Sequence, residues 1–488
     1  MNKKQLVGLI VIALTGLAVF YFVATKAKLA SFTHDESYSY NFYVHNSSMD
    51  IISHKNSYTN NHLLNTLMMK YSEQLFGASE LFLRLPNLIL LLVCFVYMYL
   101  FTRNCNLLLG ISIMVIMFTN IDLIDFFGLA RGYGISIGFM IMSLYHLVRA
   151  LHTNNNKLHL VLFNMAALLA ILGNFTMLDF YVAAIIAFNA VKLYESRFVL
   201  KEKFSFYKTN KTNIFMFVLM LVVLYEPVRR VITYNQFDFG GTKGFFSDTM
   251  QALVLTVFSH EQNVFTQTVF VKMLFLLLLF VPLVIVIVNA IKRKTGFFEN
   301  NKALVTVNLV LLFIYVEIIL QHLLLHTDYL IGRFALFLFP LFILNIFFLL
   351  EYSLKFKFRN LILGLCVVLA GYSIIYFYRN VNVHTSAEWS YDMETKNAMN
   401  ALAAWHDKNE TDKTGSKLAV NWLFEPTTNF YRRTRSLQWL VPVSRDEPDQ
   451  SSDYYYIFKE DLNKLQLKNY TTIFSSDRTN TVLVKNNL

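Results

Sequence analysis

The run VFVKMLFLLLLFVPLVIVIVNAI occupies residues 269–291 and is followed at once by Lys292, Arg293 and Lys294. At about 1.5 Å per residue, such a run wound as a helix crosses the roughly 30 Å hydrocarbon core of a bilayer. A basic cluster at its end marks the cytoplasmic side. Working outward, further apolar runs fall near residues 6–24, 86–102, 107–119, 133–150, 158–173, 178–194, 213–226, 303–322, 334–351 and 360–378. Together they predict a polytopic α-helical membrane protein of about 11 transmembrane helices. Several runs are short, which leaves room for tilted, broken or merged spans. Composition agrees. Of 488 residues 55% are hydrophobic and only 15% charged, against about 25% charge in a soluble domain, so one large bundle is expected rather than a string of soluble domains.

The net charge of +11 raises the question of nucleic acid, but the basic residues are distributed between spans. Lys3 and Lys4, Arg103, Arg149 and Lys157 come first, then Lys192, Arg197, Lys201, Lys203, Lys208 and Lys211. Lys292, Arg293, Lys294 and Lys302 follow, then Lys355, Lys357 and Arg359. They recur at every second loop, which implies membrane lipids as partners and no nucleic acid. The rule puts the N-terminus in the cytoplasm and, with an odd number of spans, the C-terminus outside. Lys26 and Lys28 on the outer flank are a small violation. The first run, from Leu6 to Ala24, is about 19 residues long, beyond a usual secretory core, and reads as a retained span. Cys94, Cys105 and Cys366 lie in or beside spans and read as buried structural thiols, with no Cys-x-x-Cys pattern.

Three outer segments are too long to be connectors. Residues 25–85 read as two short interfacial helices, because Leu63, Leu64, Leu67, Met68, Tyr71, Leu75 and Phe76 recur at helical spacing. Residues 227–268 form the second segment. The third, residues 379–488, turns polar and predicts a small α/β domain outside the membrane. Its expected elements are a helix over Met393–Trp405, strands over Lys417–Val420 and Tyr454–Phe458, and a hairpin over Ile473–Val484. The boundary between membrane domain and soluble domain is set at 378/379.

Polar residues worth attention are few. Asp35 and Glu36 follow the first span, where adjacent acids either move protons and hold cations or simply hydrate a helix end. Arg131, in Ala130-Arg131-Gly132-Tyr133, and Arg333, in Gly332-Arg333-Phe334, both stand at outer ends of spans. An arginine at that depth snorkels, pairs with an acid or binds an anion, and guanidinium matches phosphate geometry. His322 and His326, four residues apart, lack a firm third ligand for a metal. Gly240 to Gly244 lacks the ending of a phosphate loop and reads as a flexible outer loop, with Lys243 a polar contact to substrate. No nucleotide, nucleophile-elbow or metalloprotease motif is present, so chemistry outside the membrane would need a pre-activated donor.

The order of these motifs is informative. His34-Asp35-Glu36, then Asn61-His62-Leu63-Leu64, Phe76-Gly77, Arg84-Leu85-Pro86, Ala130-Arg131-Gly132-Tyr133 and Gly332-Arg333-Phe334 resemble the GT-C membrane glycosyltransferases. The similarity is to the branch containing protein O-mannosyltransferases and bacterial aminoarabinose transferase, and it covers residues 1–378. Leu63 and Leu64 stand where that family often has prolines, and Phe334 replaces a tyrosine, which leaves the acceptor open. The resemblance implies transfer of a sugar, with inversion, from a polyprenyl-phosphate donor to a hydroxyl of a lipid, glycan or protein acceptor. It further implies an integral protein of the cytoplasmic (inner) membrane, working at its outer face; no cofactor is expected, and the sequence offers no firm ligand set for a divalent metal. Asp35 would be the general base and Glu36 would position the acceptor or tune Asp35. Arg131 and Arg333 would hold the leaving phosphate, with His62, Arg84, Tyr133 and Lys243 completing the donor- and substrate-binding set. Two other classes stand beside this one. A transporter or flippase of lipid-linked saccharides would use Asp179 and Glu317 as mid-membrane charges, although no repeated halves are evident. A membrane scaffold with a receptor-like tail leaves the acidic pair and the arginines unexplained.

Overall fold

Every one of those apolar runs coincides with a helix in the structure, a computed structural model that describes residues 3–55, 61–153, 157–234, 240–258, 268–410, 414–465, 467 and 469–487. Among the described residues, eight helices are long and apolar enough to cross a membrane. The number rises to nine if Leu107–Phe118 and Ile121–Phe127, bent by 65° at a short break, make one span. The chain is therefore an integral, multi-pass helical membrane protein. The expected count of eleven also includes Lys157–Gly173, which is apolar but short, and Phe206–Thr233, which has Pro227 inside it and arginines at its end.

Burial sorts the helices by position. In Gly132–His152 and Gly332–Ser353, 78% of the apolar window is buried, so these form the centre. In Arg359–Asn380 only 11% is buried, and its apolar side chains face the space that lipid fills. The bundle has two chemically different ends. At one, Lys302 donates to the Leu151 carbonyl at 2.6 Å and pairs with Glu195 at 2.7 Å, and Glu351 accepts from the Asn106 amide. Arg103, Arg149 and Lys292 to Lys294 belong to this end, so the basic loops gather together. At the other, Lys26 pairs with Asp125, Ser386 donates to Asp125 at 2.6 Å, and Gly241 and Tyr329 form a two-way backbone bridge. That end carries the first long loop and the tail.

The long loop folds into His34–Ser39, Tyr40–Val44, Ser48–Ile52 and Leu63–Phe76. Leu63, Thr66, Met69 and Ser72 face inward while Leu75 and Phe76 are exposed, as helical spacing predicts. Gly77, at φ +88°, ends this helix in a conformation that a side chain disfavours. The tail forms the helices Thr395–Asn409 and Glu425–Thr434 and a four-stranded sheet. Its strands are β1 (Leu418–Val420), β2 (Tyr454–Phe458), β3 (Tyr470–Ser476) and β4 (Thr481–Asn486), in the order β1-β2-β4-β3, with β1 parallel to β2 and the other pairs antiparallel. Tail and loop share one core. Phe32, Tyr40, Met69, Leu83 and Ala130 pack with Phe424, Phe430, Tyr431 and Tyr456, and Phe32 stacks on Phe430 at 4.2 Å. Each such buried aromatic contributes about 1.5–3 kcal/mol, so the tail is clamped onto the loop rather than hanging from a linker.

Candidate functional site

Thr33 is the N-cap of the short helix His34–Ser39, and its amide donates to Glu36 Oε2 at 2.9 Å, half of a capping box. This folds Glu36 inward and leaves Asp35, about 100° away around the helix, pointing elsewhere. Glu36 and Arg84 are fully buried and paired by two parallel bonds, Nε to Oε1 at 2.8 Å and Nη2 to Oε2 at 2.6 Å. The remaining guanidinium protons go to the carbonyls of Ala27, Ala30 and Ser31 at 2.8–3.0 Å. All five Arg84 N–H groups are thus committed to the protein, and a phosphate would find none available. Arg84 is a scaffold residue, contrary to its expected place among the substrate-binding groups. Glu36 is equally occupied, because Ala130 N also donates to Oε1 at 2.5 Å. It cannot reach an acceptor and acts on the site only by holding its frame.

That frame carries Arg131. Glu36 holds the Ala130 amide, and Asn65, itself held by Asn87, donates to the Ala130 carbonyl at 2.8 Å. With both sides of this peptide fixed, Arg131 emerges as N-cap of Gly132–His152. Its Nη2 lies 3.3 Å from Asp35 Oδ2, and its Nη1 donates to Ser39 Oγ at 3.2 Å. Arg333 comes from the other side, from the turn Gly332–Ala335, and its Nη2 is also 3.3 Å from the same Asp35 oxygen. Arg333 Nη1 donates to Glu388 Oε2 at 2.5 Å, and its guanidinium lies 5.0 Å from the Trp389 ring centre. Its Nε is buried and has no hydrogen-bond partner among the described residues. Asp35 keeps 16% of its side chain exposed.

His62 is the N-cap of Leu63–Phe76. Its Nδ1 lies 2.9 Å from the Gly173 carbonyl, so Nδ1 carries the proton, and Nε2 is a buried lone pair without a partner among the described residues. Burial first, then the positive charges of Arg131 and Arg333, hold its imidazole well below the usual histidine range. Gly132 makes this approach possible, because a Cβ there would strike the Gly173 carbonyl and the His62 ring. Tyr133 is buried between His62, at 5.0 Å between ring centres, and Arg333, at 6.0 Å. Lys243 is exposed. Asp248 holds the amides of Lys243 and Gly244, and the bridge to Tyr329 pins the loop near Arg333. Its side chain is not brought into contact with Asp35.

The tail supplies what the motifs did not indicate. Glu388 and Trp389 flank Arg333, and Leu423 O lies 2.7 Å from His34 Nδ1. Asp392 accepts from Thr395 and Thr427 at 3.1 Å each and from the His34 backbone. Burial pushes its carboxyl up to about 8. The two histidines at the end of Lys302–Leu325 are used locally: His322 stacks on Tyr329 and bonds the Thr327 carbonyl, and His326 takes the left-handed C-cap. His260 and Glu261, a weaker pairing in the sequence, lie outside the described residues. Asp179, in the first turn of its helix, accepts from Gln321 at 2.9 Å near the site end rather than at mid-membrane.

No family model and no curated protein matches the chain. The structure is similar to two crystal structures of ArnT from Cupriavidus metallidurans. One is in the apo state (TM-score 0.50, 12% identity, 98% of this chain and 97% of that one). The other is bound to undecaprenyl phosphate (TM-score 0.51, 11% identity, 98% of both chains). Bundle and tail together therefore have the fold of the aminoarabinose transferase that the motifs resemble.

Proposed function

We propose that the protein transfers a sugar from a polyprenyl-phosphate donor to an acceptor hydroxyl at the membrane face bearing Asp35. The observation that carries this reading is the convergence of Arg131 and Arg333 on a single oxygen of Asp35, each at 3.3 Å. Glu388 balances part of the charge on Arg333, so an anion gains the two guanidinium groups chiefly by displacing Asp35, whose 3.3 Å contacts are long for a charged hydrogen bond. The buried Arg333 Nε, with no partner among the described residues, is a further donor for it. The fold shared with an ArnT bound to undecaprenyl phosphate supports a polyprenyl phosphate as that anion.

In the reaction, Asp35 accepts the proton of the acceptor hydroxyl as its oxygen attacks the anomeric carbon. The bond from that carbon to the phosphate oxygen breaks on the opposite face, which inverts the centre, and the electron pair stays on the phosphate. Arg131 and Arg333 stabilise the charge that develops there. Neutral His62, near enough for Arg131 and Arg333 to lower its basicity, offers its Nε2 lone pair as an acceptor for a sugar hydroxyl. Glu388 and Trp389 orient Arg333, which gives the tail a part in the site. The lipid stays in the bilayer, and this accounts for polar groups at the interfacial end. By the charge rule that face is the outer one, with the N-terminus in the cytoplasm and the tail outside. Cysteine labelling from outside should then reach a residue introduced near Gly415 and not one near Lys203.

A purified-protein assay with a panel of polyprenyl-phosphate sugars tests the reading. It should yield a glycosylated acceptor and free polyprenyl phosphate. Movement of an intact lipid-linked sugar across vesicles, without cleavage, would instead support the transporter.

A further inference from the structure

We propose that the end of the bundle opposite Asp35 holds a second site, which binds the phosphate of an anionic phospholipid. A cavity of about 170 Å³ opens there between the ends of Glu80–Thr102, Gly132–His152, Lys302–Leu325 and Leu338–Ser353. Its wall is aromatic: Phe101 packs edge-on against Tyr145 at 5.3 Å and Phe348 at 5.8 Å. Its mouth carries Arg103, Arg149 and His152.

The nearest acid–base cluster at this end is closed on itself, with Lys302 and Lys192 both paired to Glu195. Glu351, the nearby acid, accepts from the Asn106 amide. Neither Arg103 nor Arg149 has an ion-pair partner among the described residues, and both are exposed. His152 turns Nδ1 back to the Val148 carbonyl, which leaves Nε2 for the mouth. A cavity of this size exceeds the ~150 Å³ that admits benzene, so a phosphate with its glycerol carbons fits. An aromatic wall running into the bilayer beneath a cationic rim matches an amphiphile rather than a soluble anion, and basic pockets between spans bind lipid headgroups in this way. The helices whose ends form this mouth carry Arg84 and Arg131 at their opposite ends, so a bound lipid braces the frame of the candidate site.

The test is retention of phosphatidylglycerol by full-length protein in neutral-lipid nanodiscs, read by native mass spectrometry and titration. Wild-type protein should keep one molecule tightly. Arg103→Gln and Arg149→Gln should each weaken it by about fivefold, the worth of one basic side chain near an anionic surface. Lys292→Gln/Lys294→Gln, at the same end but outside the cavity, should change it little, and glycerol 3-phosphate should not displace the lipid. Equal retention by the arginine variants overturns the proposal. So does an equal loss in the lysine variant, which would mean diffuse surface charge, or displacement by glycerol 3-phosphate, which would mean a soluble-anion site.

Discussion

Asp35 and Glu36 are neighbours in sequence with the same chemistry, yet their surroundings differ completely. Glu36 is sealed from solvent and saturated by two amides and a forked guanidinium. Asp35 is partly open and shares one oxygen between two arginines at 3.3 Å, longer than a good charged hydrogen bond. A fully satisfied buried pair fixes geometry and has no capacity left for a ligand. A loosely held carboxylate between two cations can exchange partners. The comparison separates framework from chemistry within a single turn of helix.

The largest effect should come from breaking the sealed pair. Arg84→Ala leaves Glu36 charged in the interior without its cation, held only by the Thr33 and Ala130 amides, at a cost of about 3–5 kcal/mol. Thermal unfolding in detergent should show a large drop or no folded protein. Stability close to wild type would mean that the pair is not the frame described here.

On the open side, Arg131→Lys and Arg333→Lys keep the charge but lose the fork. Turnover should fall about 10²–10³-fold, the worth of a lost transition-state donor, and further with Ala, while melting stays near wild type. If the arginines only snorkel, lysine will substitute well. Weaker still, Glu388→Gln should loosen Arg333 without unfolding the tail. A severalfold change in donor KM larger than the change in kcat is expected, and unchanged kinetics would remove the tail from the site.

A separate effect concerns pH. Folded protein holds the Asp392 proton up to about pH 8, whereas an unfolded aspartate releases it near 4. Folding therefore takes up a proton between these values, and stability falls as pH rises through that window. Asp392→Asn should flatten this slope in melting curves taken from pH 5 to 8. An unaltered slope would place the titration elsewhere.

Much of the frame was legible because hydrophobic runs and basic loops are one-dimensional signals. The helix Val269–Ile291, the strand Tyr454–Phe458 and the hairpin β3–β4 fall where the sequence puts them. The span count was less secure: the sequence ends one run at residue 119, whereas the structure continues after a 65° bend into a further helix, Ile121–Phe127. Asp35, Arg131 and Arg333 emerged from the order of motifs. Nothing in the letters distinguished Arg84 from them, because commitment of all five donors is a property of packing. Glu388 and Asp392 were invisible for another reason: they reach the site across hundreds of residues, from a tail with no periodic signal near them.

The central claim is that Asp35 does chemistry while competing with phosphate for the two arginines. Donor binding and turnover measured together on Asp35→Asn test it most directly. The amide no longer draws on the guanidinium groups, so a polyprenyl-phosphate donor should bind at least as tightly as to wild type. Without a base, turnover should fall about 10²–10⁴-fold. Wild-type turnover in this variant, or loss of donor binding together with lowered melting, would contradict the account.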